Sequence, residues 1–231
     1  MREIQTIAVI ETDYPEKFGV PRQSGMTDSE ARIRFLPPFD HPDCFRGIEG
    51  FSHLWLIWGF SKNPADSWSP TVRPPRLGGN RRVGVFASRS PFRPNGLGLS
   101  CVELKRIEYK EKDSPLTLVV TGADMVSGTP IYDVKPYIPY GDARPEASSG
   151  FLTALPGHRL EVDCAPALLA LLPAGKDKAL LDTLALDPRP AYQEDPDRIY
   201  GLSFLEYEVH FQVQGRVLTV LDISPTQHPE D

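Results

Sequence analysis

The feature that most constrains this chain is a succession of short β-type runs parted by turn residues, with no regular helices between them. Residues 4–10, 31–36, 53–60, 83–88, 99–109, 116–122 and 131–135 are apolar, β-branched or alternating, and Gly, Pro and Asn cluster between them. The 53–60 run is apolar on both faces and reads as a central, buried strand. A short helix fits at 42–47. The chain has 24 prolines in 231 residues, a density that argues against a helical bundle. Short strands with turn signals predict a mainly β fold, a compact antiparallel barrel or sandwich.

The pattern changes after residue 140. Residues 141–157 are small, polar and proline-punctuated, so they read as a linker between a first unit at 1–140 and a second at 158–231. The second unit reads as α+β. It has a strand at 158–164, helices at 165–172 and 176–186 broken by Pro173 and Gly175, then strands at 202–213 and 216–223 turning at Gln214-Gly215. The last eight residues read as a frayed tail.

Composition narrows the function classes. The amino terminus carries no basic-then-apolar signal, and the longest apolar stretch, Leu54 to Phe60, is too short to span a bilayer, which predicts a soluble, cytoplasmic protein. Cys44, Cys101 and Cys164 form no CxxC pair and read as free thiols, and no spacing of His and Cys completes a metal site. The net charge is −6, yet no acid occurs between Asp66 and Glu103, where Arg73, Arg76, Arg81, Arg82, Arg89 and Arg93 all fall. This asymmetry suits either a local polyanion site or an arginine-rich loop balanced by acids elsewhere.

Four polar, turn-rich stretches are poor core builders: Val20-Pro21-Arg22-Gln23, residues 73–80, residues 89–98, and residues 127–137. Each mixes Pro or Gly with Arg, Asn, Asp or Lys. Pro and Gly set loop geometry or let a ligand approach the backbone, and Arg offers planar donors to carboxylate or phosphate. Together they read as one site. They name no reaction, because the chain lacks the GxGxxG, Walker, HExxH and GxSxG patterns.

In their order along the chain, Phe18-Gly19-Val20-Pro21-Arg22-Gln23, the 46–55 segment, Arg73 to Asn80, Val83-Gly84-Val85-Phe86-Ala87, Arg89-Ser90-Pro91-Phe92-Arg93-Pro94-Asn95, Gly128-Thr129-Pro130 and Asp133-Val134-Lys135-Pro136-Tyr137 closely resemble the TsaA/TrmO family. Residues 186–192 are similar to the C-terminal domain of its bacterial members. The resemblance implies an S-adenosylmethionine-dependent methyltransferase. Its acceptor would be N6 of N6-threonylcarbamoyladenosine, beside the anticodon of a threonine-accepting tRNA. It also implies a single-sheeted antiparallel β-barrel with a small C-terminal domain, and a homodimer. Cofactor contacts are implied at Pro21, Arg22, Gln23, Ser61, Lys62, Arg89, Leu99, Ser127, Gly128 and Thr129. Ser127 stands where the family usually has Asp.

The transferred methyl carbon is electrophilic on its sulfonium, so holding it in line with N6 is the main task, and removing the N6 proton helps. Asp133 and Tyr137 are candidate acceptors and Lys135 a candidate partner for the threonyl carboxylate, because alternate residues of an extended segment share a face. Arg89 and Arg93 are rival partners for that carboxylate. Asp133 and Lys135 also read as a plain ion pair. Arg73, Arg76, Arg81, Arg82 and Arg93 are candidate tRNA contacts. Two other functions fit the same residues: an RNA-binding module without catalysis, and a small-molecule methyltransferase on the same barrel.

Overall fold

The computed structural model describes residues 3–64, 67–74, 81–109, 116–152, 159–190 and 195–226. Six strands close into one antiparallel barrel: β1 (Ala8–Glu11), β2 (Glu30–Phe35), β3 (His53–Gly59), β6 (Leu97–Glu108), β7 (Thr117–Thr121) and β8 (Thr129–Pro136). The order around the barrel is β1-β2-β7-β6-β3-β8, and β8 returns to β1. Full closure leaves no unpaired sheet edge on the barrel. Between β3 and β6, the two-residue strands β4 (Thr71–Val72) and β5 (Val83–Gly84) form a separate small ladder.

Alternation along these strands fills the barrel. Ile10, Ile33, Leu54, Leu56, Val102, Leu118, Val120 and Ile131 point inward and are almost wholly buried. Trp58 needs a special neighbour. Its register partner is Gly98, and a Cβ there would lie 2.2 Å from the indole. The outer wall differs from side to side. Over β2, β7 and β6, Arg106 is bidentate to Glu30, and Arg32 pairs with Glu108. Those arginines flank Val119, which is itself fully buried. Over β3, β6 and β8, Leu99 is 57% exposed beside its register partner Ile57.

The chain beyond the barrel makes helices α1 (Pro139–Asp142), α2 (Pro166–Leu169) and α3 (Asp177–Ala185), and strands β9 (Glu161–Asp163), β10 (Tyr200–Phe204), β11 (Tyr207–Gln214) and β12 (Val217–Pro225). The four strands form a sheet in the order β10-β11-β12-β9, with β9 parallel to β12. Its core of Leu180, Leu184, Leu202, Phe204, Val209, Phe211 and Leu218 also takes in Tyr14 from the barrel side. The Tyr14 hydroxyl lies between Thr27 and Thr183 at 3.3 and 3.2 Å. The Asp13 carboxylate, 3% exposed, accepts from Lys176 Nζ at 2.7 and 2.9 Å and from Ser29.

Several local readings change. The run at 83–88 is not one strand: it pairs for two residues, then folds into a 3₁₀ turn, Val85–Ala87, around the buried Val85. The run at 202–213 is two strands, parted at Leu205-Glu206. Leu205 adopts φ +54° there and donates its N–H to the Asp13 carbonyl at 2.8 Å. The first helix of the second unit covers only Pro166–Leu169. The 141–157 stretch carries the end of α1 and a 3₁₀ turn at Gly150–Leu152. The hairpin turn at Gln214-Gly215 is present, with Gly215 at φ +60°. Residues 227–231 of the tail, residues 75–80 with Arg76, and residues 191–192 of the C-terminal motif lie outside the described residues.

Candidate functional site

Four chain segments meet at one end of the barrel. The end of β3 runs into a tight turn, in which Phe60 N–H donates to Gly96 carbonyl at 2.9 Å and Asn63 N–H to Phe60 carbonyl at 3.2 Å. The segment before β8 is drawn onto β1 by Gly128 N–H to Ile10 carbonyl and Ser127 N–H to Tyr14 carbonyl, both 2.8 Å. Gly128 sits at φ +82°, a conformation that favours glycine. The 17–23 turn and the 88–95 loop complete the rim. Between these segments opens a cleft of about 210 Å³.

One wall of the cleft is aromatic, with Trp58 and Phe60 edge to face at 4.4 Å, and Met125 and Val126 lie beside them. Its polar groups are few: Lys17, Ser61, Lys62, Asn63, Asp124 and Thr129. This mixture suits a small ligand with a flat apolar part and a few polar handles. Asn63 Nδ2 is buried and has no hydrogen-bond partner among the described residues. A buried amide without a partner costs free energy, so a ligand acceptor at that point would satisfy it.

Asp124 is the residue that sequence reasoning missed. Its carboxylate accepts from Ser100 Oγ, which in turn accepts from Trp58 Nε1 at 2.9 Å. Burial pushes the Asp124 carboxyl above the ordinary Asp range, while the Ser100 hydrogen bond and the Arg89 charge pull it partly back. A carboxylate so placed is a stronger proton acceptor than one in water. In the string Gly122-Ala123-Asp124-Met125 it reads as a turn residue, and only strand pairing brings Ser100 and Trp58 to it.

The sequence-predicted cofactor residues fall into groups. Ser61, Lys62 and Thr129 line the cleft. Gln23 accepts from Arg89, on the rim. The Ser127 hydroxyl accepts from Thr12 N–H at 3.3 Å, so it holds the loop. Pro21 is buried in the same turn, but Arg22 reaches away from the cleft to the carbonyls of Asp187 and Arg189 at 3.1 and 3.3 Å. Gly19 makes that seating possible: a Cβ there would lie 2.0 Å from Leu202 Cδ1. Leu99 faces the outer wall. Asp133, Lys135 and Tyr137 follow on β8 and its end, none of them lining the cleft. Lys135 Nζ lies 3.1 Å from Asp133 Oδ2, both partly exposed, and Tyr137 packs on Trp55 at 5.7 Å between ring centres.

Among the tRNA candidates, Arg73, Arg81 and Arg82 are exposed, and Arg82 donates to Thr71 Oγ1 at 3.2 Å. Arg93 donates to Ser88 carbonyl at 3.1 Å. None of these, nor Arg89, makes an ion pair among the described residues. Among those residues no group of three or more His, Cys, Asp or Glu side chains is arranged to hold a metal, and no helix is long and apolar enough to cross a membrane.

Barrel and cleft together define a small-ligand-binding β-barrel, distinct from the doubly wound sheet on which nucleotide cofactors commonly bind. Residues 9–143 match the family model of the tRNA-methyltransferase O N-terminal domain, and residues 159–226 match the TrmO C-terminal domain. The chain is 39% identical over 232 residues to the tRNA (adenine(37)-N6)-methyltransferase of Escherichia coli, covering 96% of this chain and 98% of that one. It is 35% identical over 242 residues to a putative S-adenosylmethionine-dependent methyltransferase of Pseudomonas aeruginosa, covering 96% and 97%. The crystal structure of TrmO from Pseudomonas aeruginosa superposes with a TM-score of 0.78 at 28% identity, covering 97% of this chain and 99% of that one. The chain belongs to the tRNA-methyltransferase O family.

Proposed function

We propose that this chain transfers a methyl group from S-adenosylmethionine to N6 of adenosine 37 of tRNA, the base beside the anticodon. The acceptor we assign is N6-threonylcarbamoyladenosine in a threonine-accepting tRNA. The observation that carries the reading is the cleft itself. It combines an aromatic wall, a buried amide donor without a partner among the described residues and a half-buried carboxylate, and its rim continues into an arginine segment without acids. The family and its named relatives support the same activity.

The cleft's residues fit the cofactor. Trp58 and Phe60 offer a face to an adenine ring, and Asn63 Nδ2 offers a hydrogen bond to an acceptor. When bound, S-adenosylmethionine supplies an electrophilic methyl carbon. The protein's own part is to position and to move a proton. Ser61, Lys62 and Thr129 form the cleft edge, and Gln23 fixes Arg89 at the rim. Asp124 is our assignment for the group that accepts the N6 proton, oriented by Ser100 and Trp58. Arg89 is the rim cation for the threonyl carboxylate, and Arg73, Arg76, Arg81, Arg82 and Arg93 meet tRNA phosphates.

Asp133, Lys135 and Tyr137 belong to a second assignment. With Leu99 and Ile57 they occupy a wall where, among the described residues, the Lys135–Asp133 ion pair stays within β8 and none bridges neighbouring strands. We assign that wall to a homodimer interface, where these three side chains would reach a substrate bound to the partner subunit. The unit at 1–140 carries the cofactor site, and 158–231 braces it through Arg22 and Asp13. A tRNA-modifying enzyme with three free cysteines suits the reducing cytoplasm.

Calorimetry with S-adenosylmethionine tests the cleft. Asn63→Ala should weaken binding about fivefold to tenfold, the usual worth of one hydrogen bond, with an unchanged melting temperature. Unchanged affinity would remove the cofactor from this cleft.

A further inference from the structure

Three aromatic side chains stand in solvent on the arginine-bearing segment: Phe86 at 80% exposure, Trp68 at 54% and Phe92 at 43%. They do not hang from loose loops. Val85 N–H donates to Pro70 carbonyl at 3.0 Å and Ser69 N–H to Phe92 carbonyl at 3.2 Å, so the three short stretches are bonded to one another and to the β4–β5 ladder. The turn that carries Phe86 is closed twice, by Ser88 N–H and by Ser88 Oγ, both on the Val85 carbonyl. Val85 is buried at 2% exposure and anchors the turn, and its neighbour Phe86 is left facing outward. A rigid backbone therefore presents the ring.

The surroundings of the ring select its partner. The segment from Ser67 to Val102 contains no acid, and Arg73, Arg81, Arg82, Arg89 and Arg93 make no ion pair among the described residues. Elsewhere Arg32, Arg34, Arg46, Arg106, Arg159 and Arg189 are paired with carboxylates, while Arg144, Arg198 and Arg216 are scattered arginines without an ion pair among the described residues. A second copy packed here would have to bury those cations. Guanidinium groups without an ion pair, on the same segment as exposed rings, match a polyanion whose rings are free to stack, which is single-stranded nucleic acid.

We propose that Phe86 is a stacking platform for an unpaired base of the tRNA anticodon loop, with Trp68 and Phe92 on the same bonded platform. The proposal rests on the tRNA reading above and adds a contact that is neither electrostatic nor part of the cleft. A stacked neighbour would hold the loop open and leave the target base free to enter the cleft.

The test uses the full chain with S-adenosylhomocysteine and an anticodon stem-loop RNA carrying 2-aminopurine beside position 37. Wild-type protein should bind and change the probe's fluorescence. Phe86→Ala should weaken binding about 5- to 150-fold, the range for losing one base–aromatic stack, and should lose the fluorescence change. The log–log salt slope should stay at the wild-type value, because no phosphate contact is removed. Arg82→Ala should instead lower that slope by about 0.7–0.9. Phe86→Tyr should bind as wild type. Wild-type affinity and signal in Phe86→Ala would overturn the stacking role alone. No binding by wild type would overturn the tRNA reading and this proposal with it. A Phe86→Ala protein that sediments as a smaller species than wild type would make Phe86 a subunit contact and overturn the proposal.

Discussion

Lys176→Met tests how the C-terminal sheet is held to the barrel. Lys176 donates to both oxygens of Asp13, and that carboxylate is 3% exposed. Without the ammonium, Asp13 keeps only the Ser29 hydroxyl as a side-chain donor among the described residues. Stranding a buried charge costs about 3–5 kcal/mol. Lys176 is itself 24% exposed, so water can partly replace it, and the low end, about 3 kcal/mol, applies. In a chain of this length each kcal/mol moves the melting temperature by about 2–4 °C, so the fall should be roughly 6–12 °C. Asp13→Asn should cost less, about 1–2 kcal/mol, because the freed ammonium can turn into water. The double variant should melt close to Asp13→Asn, well above the sum of the two losses. Scanning calorimetry on the four proteins reads all of this. Asp13 also lies between Thr12, which holds Ser127, and Tyr14, whose carbonyl holds Ser127 N–H. The same variant should therefore weaken cofactor binding. A fall below about 2 °C would refute the claim that this pair clamps the two parts.

Asp124→Asn should cut turnover by about 100-fold or more while Asp133→Asn has a smaller effect, measured by single-turnover methyl transfer. Near-normal turnover in Asp124→Asn would return the proton to Asp133 or Tyr137. Burial raises the Asp124 carboxyl from its ordinary 3.8. As pH falls through that raised value, Asp124 takes up a proton and stops accepting one, so the wild-type rate should drop on the acid side and the variant should lack this limb. The linkage to stability runs the opposite way: a carboxyl raised in the folded state favours folding while protonated, and that stability is lost as pH rises through its folded value. At neutral pH Asp124→Asn should therefore melt no lower than wild type. Leu99→Asp puts a charge on the outer wall of β3, β6 and β8 and should dissociate the proposed homodimer in sedimentation velocity. A variant that stays dimeric would move the interface elsewhere. Replacing Arg81 and Arg82 by Ala should lower the salt slope of tRNA binding by about 0.7–0.9 for each phosphate left without its cation and leave cofactor affinity unchanged. An unchanged slope would make both arginines structural.

The barrel was legible because alternation and β-branching report a local property, the burial of one face of a strand. Residues 31–36 and the apolar run at 53–60 read as strands, and both are strands of the barrel. The split at Leu205 was not legible, because Ser203-Phe204-Leu205-Glu206-Tyr207 has no Gly, Asn or Pro and the turn is fixed by Asp13 from another part of the fold. The site behaved likewise. Pro21 to Gln23 and Gly128-Thr129 were recognisable as motifs, and the motif residue Arg89 joins Gln23 at the rim. Asp124 was hidden, because its environment depends on Ser100, 24 residues away, and on Trp58, farther still along the chain. Arg22 carried the right motif, yet it reaches the carbonyls of Asp187 and Arg189, a contact made only when the C-terminal sheet docks.

The most direct measurement is methyl transfer to tRNA followed by nucleoside identification. The full chain is incubated with methyl-labelled S-adenosylmethionine and threonine-accepting tRNA that either carries or lacks the N6-threonylcarbamoyl group at position 37. The label should appear in one nucleoside, N6-methyl-N6-threonylcarbamoyladenosine, and only with the modified tRNA. Label in any other nucleoside, equal transfer to tRNA lacking the group, or cofactor binding with no transfer to either tRNA would contradict the account.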